Sequence, residues 1–353
     1  MPRAKENRFP ILCLSALPLE CVAKHLMCRD IFQFSTISRD CFDAMKDALR
    51  STPRSRRMHI DLWENKLQLT LYSDCFYDNE KEVEWHFNGT WNRRRRWNVD
   101  LYSGPQPKTL VFREKSRGRY VTASNSVEEL LQLAEHIANL FRAHTKRIAI
   151  SAENCRFLPA IQHVPVFQQT REVNAGHGIV SHDTMVRLLT GFQARSLCIL
   201  CNVEPNFQFN GQLRTEELVL SKSSWFTAPF FYAFNGRRLV LNKCVLTNAD
   251  VNTSLRNWKA SDRRWRSNLE LYRTWNRGNG FGPNIDPELQ RRWDEEKWDV
   301  VKIAEGLEDI RHVPVYPLTN SNSMYKRQTD GMILSLHIDS DNFSGRMSMM
   351  FYY

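Results

Sequence analysis

The segment LSALPLECVAKHLMCRDIFQFSTIS, residues 14–38, decides how the N-terminal part of this 353-residue chain folds. It is too polar for a membrane span, which needs about 20 apolar residues. Pro18 suits the first turn of a helix. Apolar residues then recur at helical spacing on one face, at Leu19, Val22 and Leu26. The segment therefore predicts an amphipathic helix that starts close to Pro18.

Two further short helices are predicted before residue 51. Asp30 can cap the second helix, because Gln33 follows three residues later, as in a capping box. Ser38 can cap the third helix. The apolar side of that helix is formed by Cys41, Phe42, Met45 and Leu49. The basic, proline-containing stretch STPRSRR, residues 51–57, then ends the helical unit.

The apolar side chains of these helices need a cover, because a unit of about 40 residues buries too little surface for an independent core. Those in question are Leu12, Leu14, Leu17, Val22, Leu26, Ile31 and Phe34. They can dock on the domain that follows in the same chain, or they can cover another protein. The separation by the basic stretch after residue 50 favours another protein.

The pattern changes to strands after about residue 59. KLQLTLYS (66–73) and VEWHF (83–87) alternate apolar and polar residues, which is typical of half-buried strands. A helix is predicted within residues 126–144, with Ser126 as its cap and Glu129 three residues later. The first half of the chain therefore combines helices with a sheet.

A weak repeat runs through the second half. LCILCN begins at Leu197, LVLSKS at Leu218, LVLNKC at Leu239 and LELYRT at Leu269. Residues 239–246 fit the strand segment of a leucine-rich repeat, and TNADVNTSLRNWKAS after them predicts its helix. The last 24 residues, 330–353, predict a closing pair of strands around an asparagine-containing turn. We therefore expect an α+β fold with irregular strand–helix units and a terminal β-hairpin.

Charge and cysteine usage narrow the class of protein. Lysine and arginine number 49 against 39 acidic residues, a net charge of +10 that favours acidic partners or nucleic acid. The nine cysteines are odd in number and scattered, as free thiols of a reducing compartment are. No apolar run is long enough for a membrane span. We expect a cytoplasmic or nuclear protein that does not interact with membranes.

No pattern in the sequence favours catalysis, a metal or a cofactor. Cys198 and Cys201 have the spacing of half a zinc site, but residues three apart on a strand point to opposite faces, so core packing is expected. Ser181, His182 and Asp183 spell a catalytic triad, yet consecutive residues rarely face one another, so a polar loop is expected. Nucleotide-binding and zinc-protease motifs do not occur. We expect a non-enzymatic protein.

One segment suits nucleic acid. TWNRRRRWNVD (90–100) places Arg93–Arg96 between Trp91 and Trp97. Arginine binds phosphate and indole stacks on bases, a combination typical of single-strand binding. A run of four arginines is equally typical of a solvated hairpin loop or a nuclear import signal. Single-stranded nucleic-acid binding through residues 91–97 is therefore the alternative function.

Two segments together resemble a known family. FPILCLSALPLECVAKHLMCRDIFQFSTISRDC (9–41) resembles the F-box, with its leading Phe9-Pro10 and its Leu17-Pro18-x-Glu20 entry. Residues 239–262, NLELYRTW (268–275) and the tail from residue 328 are similar to the type 2 F-box-associated domain. The resemblance implies a three-helix F-box over 9–50, a linker over 51–58 and a substrate-recognition domain over 59–353.

The resemblance also implies a function. Such a chain would be the substrate-recognition subunit of a Skp–cullin–F-box ubiquitin ligase, without catalysis, cofactor or metal. It would bind the Skp adaptor, and through it cullin, while the C-terminal domain binds an unknown target protein. The expected adaptor contacts are Phe9, Pro10, Leu14, Leu17, Pro18, Val22, Leu26, Ile31 and Phe34. Asn252, Leu255 and Trp258 match family positions, and a buried structural role is expected for them.

Overall fold

The chain has a mixed α/β fold with three helices at its N-terminus. The computed structural model describes residues 14–50, 56–73, 81–87, 97–102, 106–116, 119–122, 124–260, 268–272, 291, 297–306, 322–326, 333–339 and 346–352. Ten α-helices lie in this part of the chain. The chain divides into two compact units, Met1–Asn174 and Ala175–Tyr353.

The first unit begins with the three predicted helices, α1 (Ala16–His25), α2 (Cys28–Ser35) and α3 (Arg39–Ala48). The prediction for Ser38 is confirmed, because its Oγ accepts a hydrogen bond from the Cys41 N–H at 3.1 Å. The prediction that Asp30 caps the second helix is wrong. Helix α2 starts three residues earlier than a cap at Asp30 predicts, at Cys28, and the carbonyl of the preceding Met27 accepts from the Asp30 and Ile31 N–H groups. Asp30 lies inside the first turn, where its negative charge interacts favourably with the helix dipole.

Within its described residues, the first unit also contains a mixed sheet and three further α-helices. Its strands are β1 (Arg56–Trp63), β2 (Lys66–Ser73), β3 (Lys81–Phe87), β4 (Trp97–Leu101), β5 (Lys108–Ser116), β6 (Arg119–Thr122), β7 (His144–Ile150) and β8 (Glu172–Ala175). Their order is β8-β7-β1-β2-β3-β6-β5-β4, with parallel pairs β1–β7 and β3–β6. The remaining helices are α4 (Val127–Phe141), α5 (Leu158–His163) and α6 (Pro165–Gln168). Strand β1 begins at Arg56, inside the linker expected over 51–58.

Helix α4 joins the N-terminal helices to the sheet. Its predicted cap is confirmed, since Ser126 Oγ accepts from the Glu129 N–H at 3.2 Å. Helices α2 and α3 both pack against α4, and α2 also packs against β3. The Phe32 ring contacts Trp85 at 5.1 Å and Tyr120 at 5.7 Å between ring centroids. Helices α2 and α3 therefore share one core with α4 and the sheet, and α1 packs on α3.

An ion cluster forms around the buried Glu84 of β3, with partly exposed cations on β3 and β6. The Glu84 carboxylate accepts hydrogen bonds from Lys81 Nζ at 2.7 Å and from the Arg119 guanidinium at 2.9 to 3.0 Å. Burial by itself would raise the pKa of Glu84, but the hydrogen bonds and positive charges of Lys81 and Arg119 lower it to about 2. The carboxylate is therefore held charged inside the folded unit.

Glu84→Gln is expected to lower the free energy of unfolding at pH 7 and to weaken its acid dependence. In the wild type the unfolded carboxyl takes up a proton near pH 4.5 and the folded one only near pH 2, so stability falls as pH decreases through that window. The loss is about 1–2 kcal/mol, because Lys81 and Arg119 are partly screened by solvent. Urea unfolding at pH 7, 5 and 3 measures it, with the exposed Glu64→Gln as control. Equal acid dependence in wild type and Glu84→Gln would contradict this role.

The second unit contains the predicted parallel strands, β10 (Ser196–Ile199), β12 (Glu217–Leu220), β13 (Arg238–Asn242) and β14 (Asn268–Tyr272). Leu197, Leu218, Leu239 and Leu269 stand side by side in register across them. The prediction of four strands is confirmed, and their description as leucine-rich-repeat units stays a prediction. A short separate pair is formed by β9 (Ile179–Val180) and β11 (Asn202–Val203).

The sheet of the second unit ends in antiparallel strands. They are β15 (Asn322–Lys326), β16 (Ile333–Asp339) and β17 (Arg346–Tyr352), in the order β15-β16-β17-β14. The predicted closing strand pair is confirmed by β16 and β17. The helices of this unit are α7 (His182–Thr190), α8 (Ala228–Ala233), α9 (Asn248–Ala260) and α10 (Val300–Ala304). Helix α9 is the one predicted after the third leucine segment.

Candidate functional site

Helix α1 carries apolar residues on two sides. On the inner side Leu19 and Ala23 are buried, and the helix packs against α3. On the outer side Leu17 is 71% exposed, Pro18 is exposed and Val22 is half-buried. A surface helix ordinarily presents polar residues to solvent. The outer side of α1 is therefore apolar at its start, where the described residues of the chain do not cover it, and it carries Lys24 and His25 at its end.

Further apolar residues are exposed at the turns beside this helix. Leu14 precedes α1 and is 40% exposed. Met27 lies between α1 and α2 and is 53% exposed, and Ile37 lies between α2 and α3 and is 54% exposed. We refer to these residues together as the apolar helix surface: Leu14, Leu17, Pro18, Val22, Leu26, Met27 and Ile37. Exposed apolar residues on this scale mark binding surfaces when they cluster.

The residues expected to contact an adaptor differ in their exposure. Leu14, Leu17 and Pro18 are exposed. Val22, Leu26 and Phe34 are half-buried. Phe9 and Pro10 lie outside the described residues.

Ile31 corrects the expected contact set. It is 0% exposed, because it lies on the α2 face with Cys28 and Phe32 that packs into the core. It therefore holds the helices together and does not reach a partner. Met27 and Ile37 are exposed apolar residues that the expected contact set did not include, although an apolar residue in a short turn between helices is a usable signal.

A buried hydrogen-bond network ties helix α2 to α4 and to the end of β4. The Tyr102 N–H donates to His136 Nδ1 at 3.1 Å, and His136 Nε2 lies 3.3 Å from Ser35 Oγ. The Ser35 hydroxyl donates to the Phe32 carbonyl at 2.7 Å. Because Nδ1 accepts, Nε2 carries the ring proton and donates to Ser35. The network joins α2, α4 and the residue that follows β4.

The His136 ring is neutral in the folded chain. It is completely buried and its ring centroid lies 4.8 Å from that of Phe42 on α3. Burial lowers the pKa of His136 from 6.5 to about 3. A protonated ring would lose its hydrogen bond from the Tyr102 N–H and would place a charge among aromatic rings. The attachment of the helices therefore depends on a neutral histidine.

His136→Phe is expected to reduce the pH dependence of unfolding between pH 6.5 and 3. In the wild type the unfolded histidine takes up a proton in this range and the folded one does not. The free energy of unfolding therefore falls by about 1.4 kcal/mol for each unit by which the pH decreases. The variant loses that slope, and its stability at pH 7 is also lower, because the Tyr102 N–H loses its acceptor. Urea unfolding across this pH range measures both effects. The exposed His163→Phe is the control, and an unchanged slope in His136→Phe would contradict the assignment.

Two side-chain contacts further fix the helices on the sheet. Gln33 Nε2 of α2 donates to the Tyr120 hydroxyl at 3.2 Å. Arg39 of α3 donates to the Tyr102 carbonyl. Such contacts hold the apolar helix surface in one orientation on the first unit.

Ser181, His182 and Asp183, which spell a catalytic triad in the sequence, lie at the start of helix α7. Ser181 Oγ accepts from the Thr184 N–H at 3.3 Å and caps α7, which begins at His182. His182 Nε2 lies 3.0 Å from the Pro205 carbonyl. The polar loop expected here is therefore wrong, since Ser181 and Asp183 supply the cap and first-turn carboxylate of a helix. The contacts of these three residues are structural.

The other candidate residues also have structural contacts. Cys201 is buried, which raises the pKa of its thiol to about 12. In the described ranges no group of three potential metal ligands occurs. Asn252 Nδ2 donates to the Ile303 carbonyl at 2.7 Å and the Glu305 carbonyl at 2.8 Å, while Leu255 and Trp258 are buried. Residues 91–96 lie outside the described part of the chain.

Among the helices that the structure describes, none combines the length and the hydropathy needed to cross a bilayer. Protein-family models, curated proteins and solved structures were all compared with this chain, and none matches. The apolar helix surface is therefore the feature of the chain that bears most directly on its function.

Proposed function

We propose that this chain is the substrate-recognition subunit of a Skp–cullin–F-box ubiquitin ligase, and that the apolar helix surface binds the Skp adaptor. The observation that carries the proposal is the two-sided helix α1, with Leu19 and Ala23 inside and Leu17 and Pro18 exposed. The order of the segments similar to an F-box and to an F-box-associated domain supports the same role.

Burial of the apolar helix surface would supply the adaptor affinity. Burying one leucine or methionine side chain contributes about 1.5–3 kcal/mol. Leu17, Met27 and Ile37 are each more than half exposed and have most of this free energy still to gain. A protein interface of standard size, about 1,600 Å², is large enough to include all three residues.

The receptor would act by position and without bond chemistry. A target bound to this chain is tethered near the ubiquitin-charged enzyme, and its lysines react as if present at roughly millimolar concentration. Such tethering is most effective when the adaptor-binding helices keep a fixed orientation on the first unit. The packing of α2 and α3 on α4, with the His136 network between them, supports a fixed attachment to the first unit.

The experiment is co-purification of the full chain with the Skp adaptor, followed by mass spectrometry of the complex. We expect stoichiometric adaptor together with cullin. Adaptor without cullin would indicate a scaffold that works outside a ligase. Absence of the adaptor would overturn the proposal.

A further inference from the structure

Two lysines follow neighbouring parallel strands at the same position. Leu220 of β12 pairs with Leu241 of β13, and Lys222 and Lys243 come two residues after these partners. Adjacent strands lie about 4.8 Å apart. The repeated segments LVLSKS and LVLNKC therefore place two positive charges side by side at the carboxyl edge of the sheet.

The segment that carries Lys222 is held firmly. Ser221 Oγ donates to the Leu200 carbonyl, and Ser223 Oγ donates to the Asn242 carbonyl, each at 2.9 Å. The Ser223 N–H donates to the same carbonyl at 3.0 Å. Both serines are buried, whereas Lys222 between them is exposed. The serines thus direct the lysine away from the core.

The two ammonium groups are poorly compensated. Neither Lys222 nor Lys243 makes an ion pair with a carboxylate in the part of the chain that the structure describes. Partial desolvation of their side chains lowers the pKa of both lysines, and the charge of Lys243 lowers that of Lys222 further. Two like charges in partly dehydrated surroundings are stabilised by an anion placed between them.

The backbone at Lys243 supports a role beyond the fold. Its φ of 54° is in the left-handed region, where glycine or asparagine is preferred. Arg142 also has a positive φ, but it ends α4, where this conformation is common. Lys243 follows a strand, and strained non-glycine residues of this kind concentrate at functional sites.

We propose that Lys222 and Lys243 form an anion site that binds a carboxylate or phosphate group on an acidic segment of the target protein. Ligands of open α/β sheets bind at the carboxyl ends of the strands, which is where both lysines lie. The net charge of +10 attracts acidic segments over longer range. The inference rests on the receptor role proposed above for its biological meaning, and the binding measurement does not depend on that role.

The test measures binding of the full chain to labelled 12-residue peptides by fluorescence anisotropy. One peptide contains glutamates, one contains phosphoserines, and one contains serines at the same positions. The variants are Lys222→Gln, Lys243→Gly and their combination, with Lys302→Gln, exposed on α10, as control. We expect each site variant to weaken acidic-peptide binding about tenfold to a hundredfold, the loss of one charge-assisted hydrogen bond. The control and the serine peptide should show no such change.

Further measurements identify the group that is bound and control for misfolding of the variants. A preference for the phosphoserine or the glutamate peptide identifies the group, and competition by inorganic phosphate at matched ionic strength separates a phosphate site from general charge attraction. Lys243→Gly removes the strain of the left-handed backbone at residue 243, so the thermal midpoint of this variant should not fall while its binding of acidic peptides weakens.

Three results would overturn the anion site. These are no binding of either acidic peptide to the wild type, equal binding to wild type and double variant, or tighter binding of a single-stranded RNA 12-mer that the double variant loses. The last result would assign the lysines to nucleic acid. Adaptor co-purification should be the same for all these variants, so failure of the anion site is distinguishable from failure of the receptor role.

Discussion

Leu17→Asp is expected to weaken binding of the Skp adaptor about a hundredfold or more. The Leu17 side chain is 71% exposed, so in the complex it would gain most of the 1.5–3 kcal/mol that burial of a leucine contributes. An aspartate at this position adds the penalty of dehydrating a charge at an apolar contact. At 1.4 kcal/mol per tenfold change, the two effects together exceed a hundredfold. Calorimetric titration of the purified full chain with the adaptor measures the change.

The control for Leu17→Asp is Val301→Asp. Val301 is 79% exposed on α10 of the second unit, so it matches Leu17 in exposure and in apolar character. Both variants should keep the thermal midpoint of the wild type, because substitutions of exposed side chains change stability little. Equal adaptor affinity for Leu17→Asp, Val301→Asp and wild type would show that the apolar helix surface does not bind the adaptor.

Phe32→Ala is expected to destabilise the whole first unit by about 3–5 kcal/mol, the range for truncating a buried phenylalanine. Phe32 is 0% exposed and its ring contacts Trp85, Tyr120 and His136. The loss should therefore reach α4 and β3 as well as the helix that carries the residue. Amide hydrogen exchange measured by mass spectrometry checks this, because it reports the stability of each segment separately.

The matched control is Phe34→Ala, two residues further along α2. Phe34 is half-buried, so the same truncation should lower protection only slightly. If Phe32→Ala leaves the protection of β3 and α4 unchanged, the N-terminal helices are an independent module and the shared core is wrong. Deletion of residues 9–50 would remove Phe32 and Phe42 from that core. It is therefore a poor test of adaptor binding, and surface variants are preferable.

Local patterns in the sequence predicted part of the elements, including α1, α3, α4, α9 and the four leucine-bearing strands. Ser38 and Ser126 were identified as helix caps because a hydroxyl before an apolar repeat has a specific local partner. The four leucine segments were identified as strands because they repeat along the chain and one of them fits the strand segment of a leucine-rich repeat. Such signals depend on residues only a few positions apart.

The sequence could not decide which side of each helix is covered. Leu17 and Ile31 are both apolar and both fit helical spacing, yet one is exposed and the other fully buried. The difference depends on β3 and α4, which lie far along the chain. The pairing of Lys222 with Lys243 was likewise visible only once the strands that precede them were known to be neighbours.

The shared core of the N-terminal helices and the sheet has a consequence for the level of this protein in cells. A partner that binds only the folded helices also stabilises every element that unfolds together with them. The free energy of unfolding rises by about 2.7 kcal/mol when the partner is present at 100 times its dissociation constant. Because α2 and α3 pack on α4 and β3, that gain would extend across the first unit. Copies made in excess of the adaptor would then unfold more often and be removed by proteases, so adaptor supply would set receptor abundance.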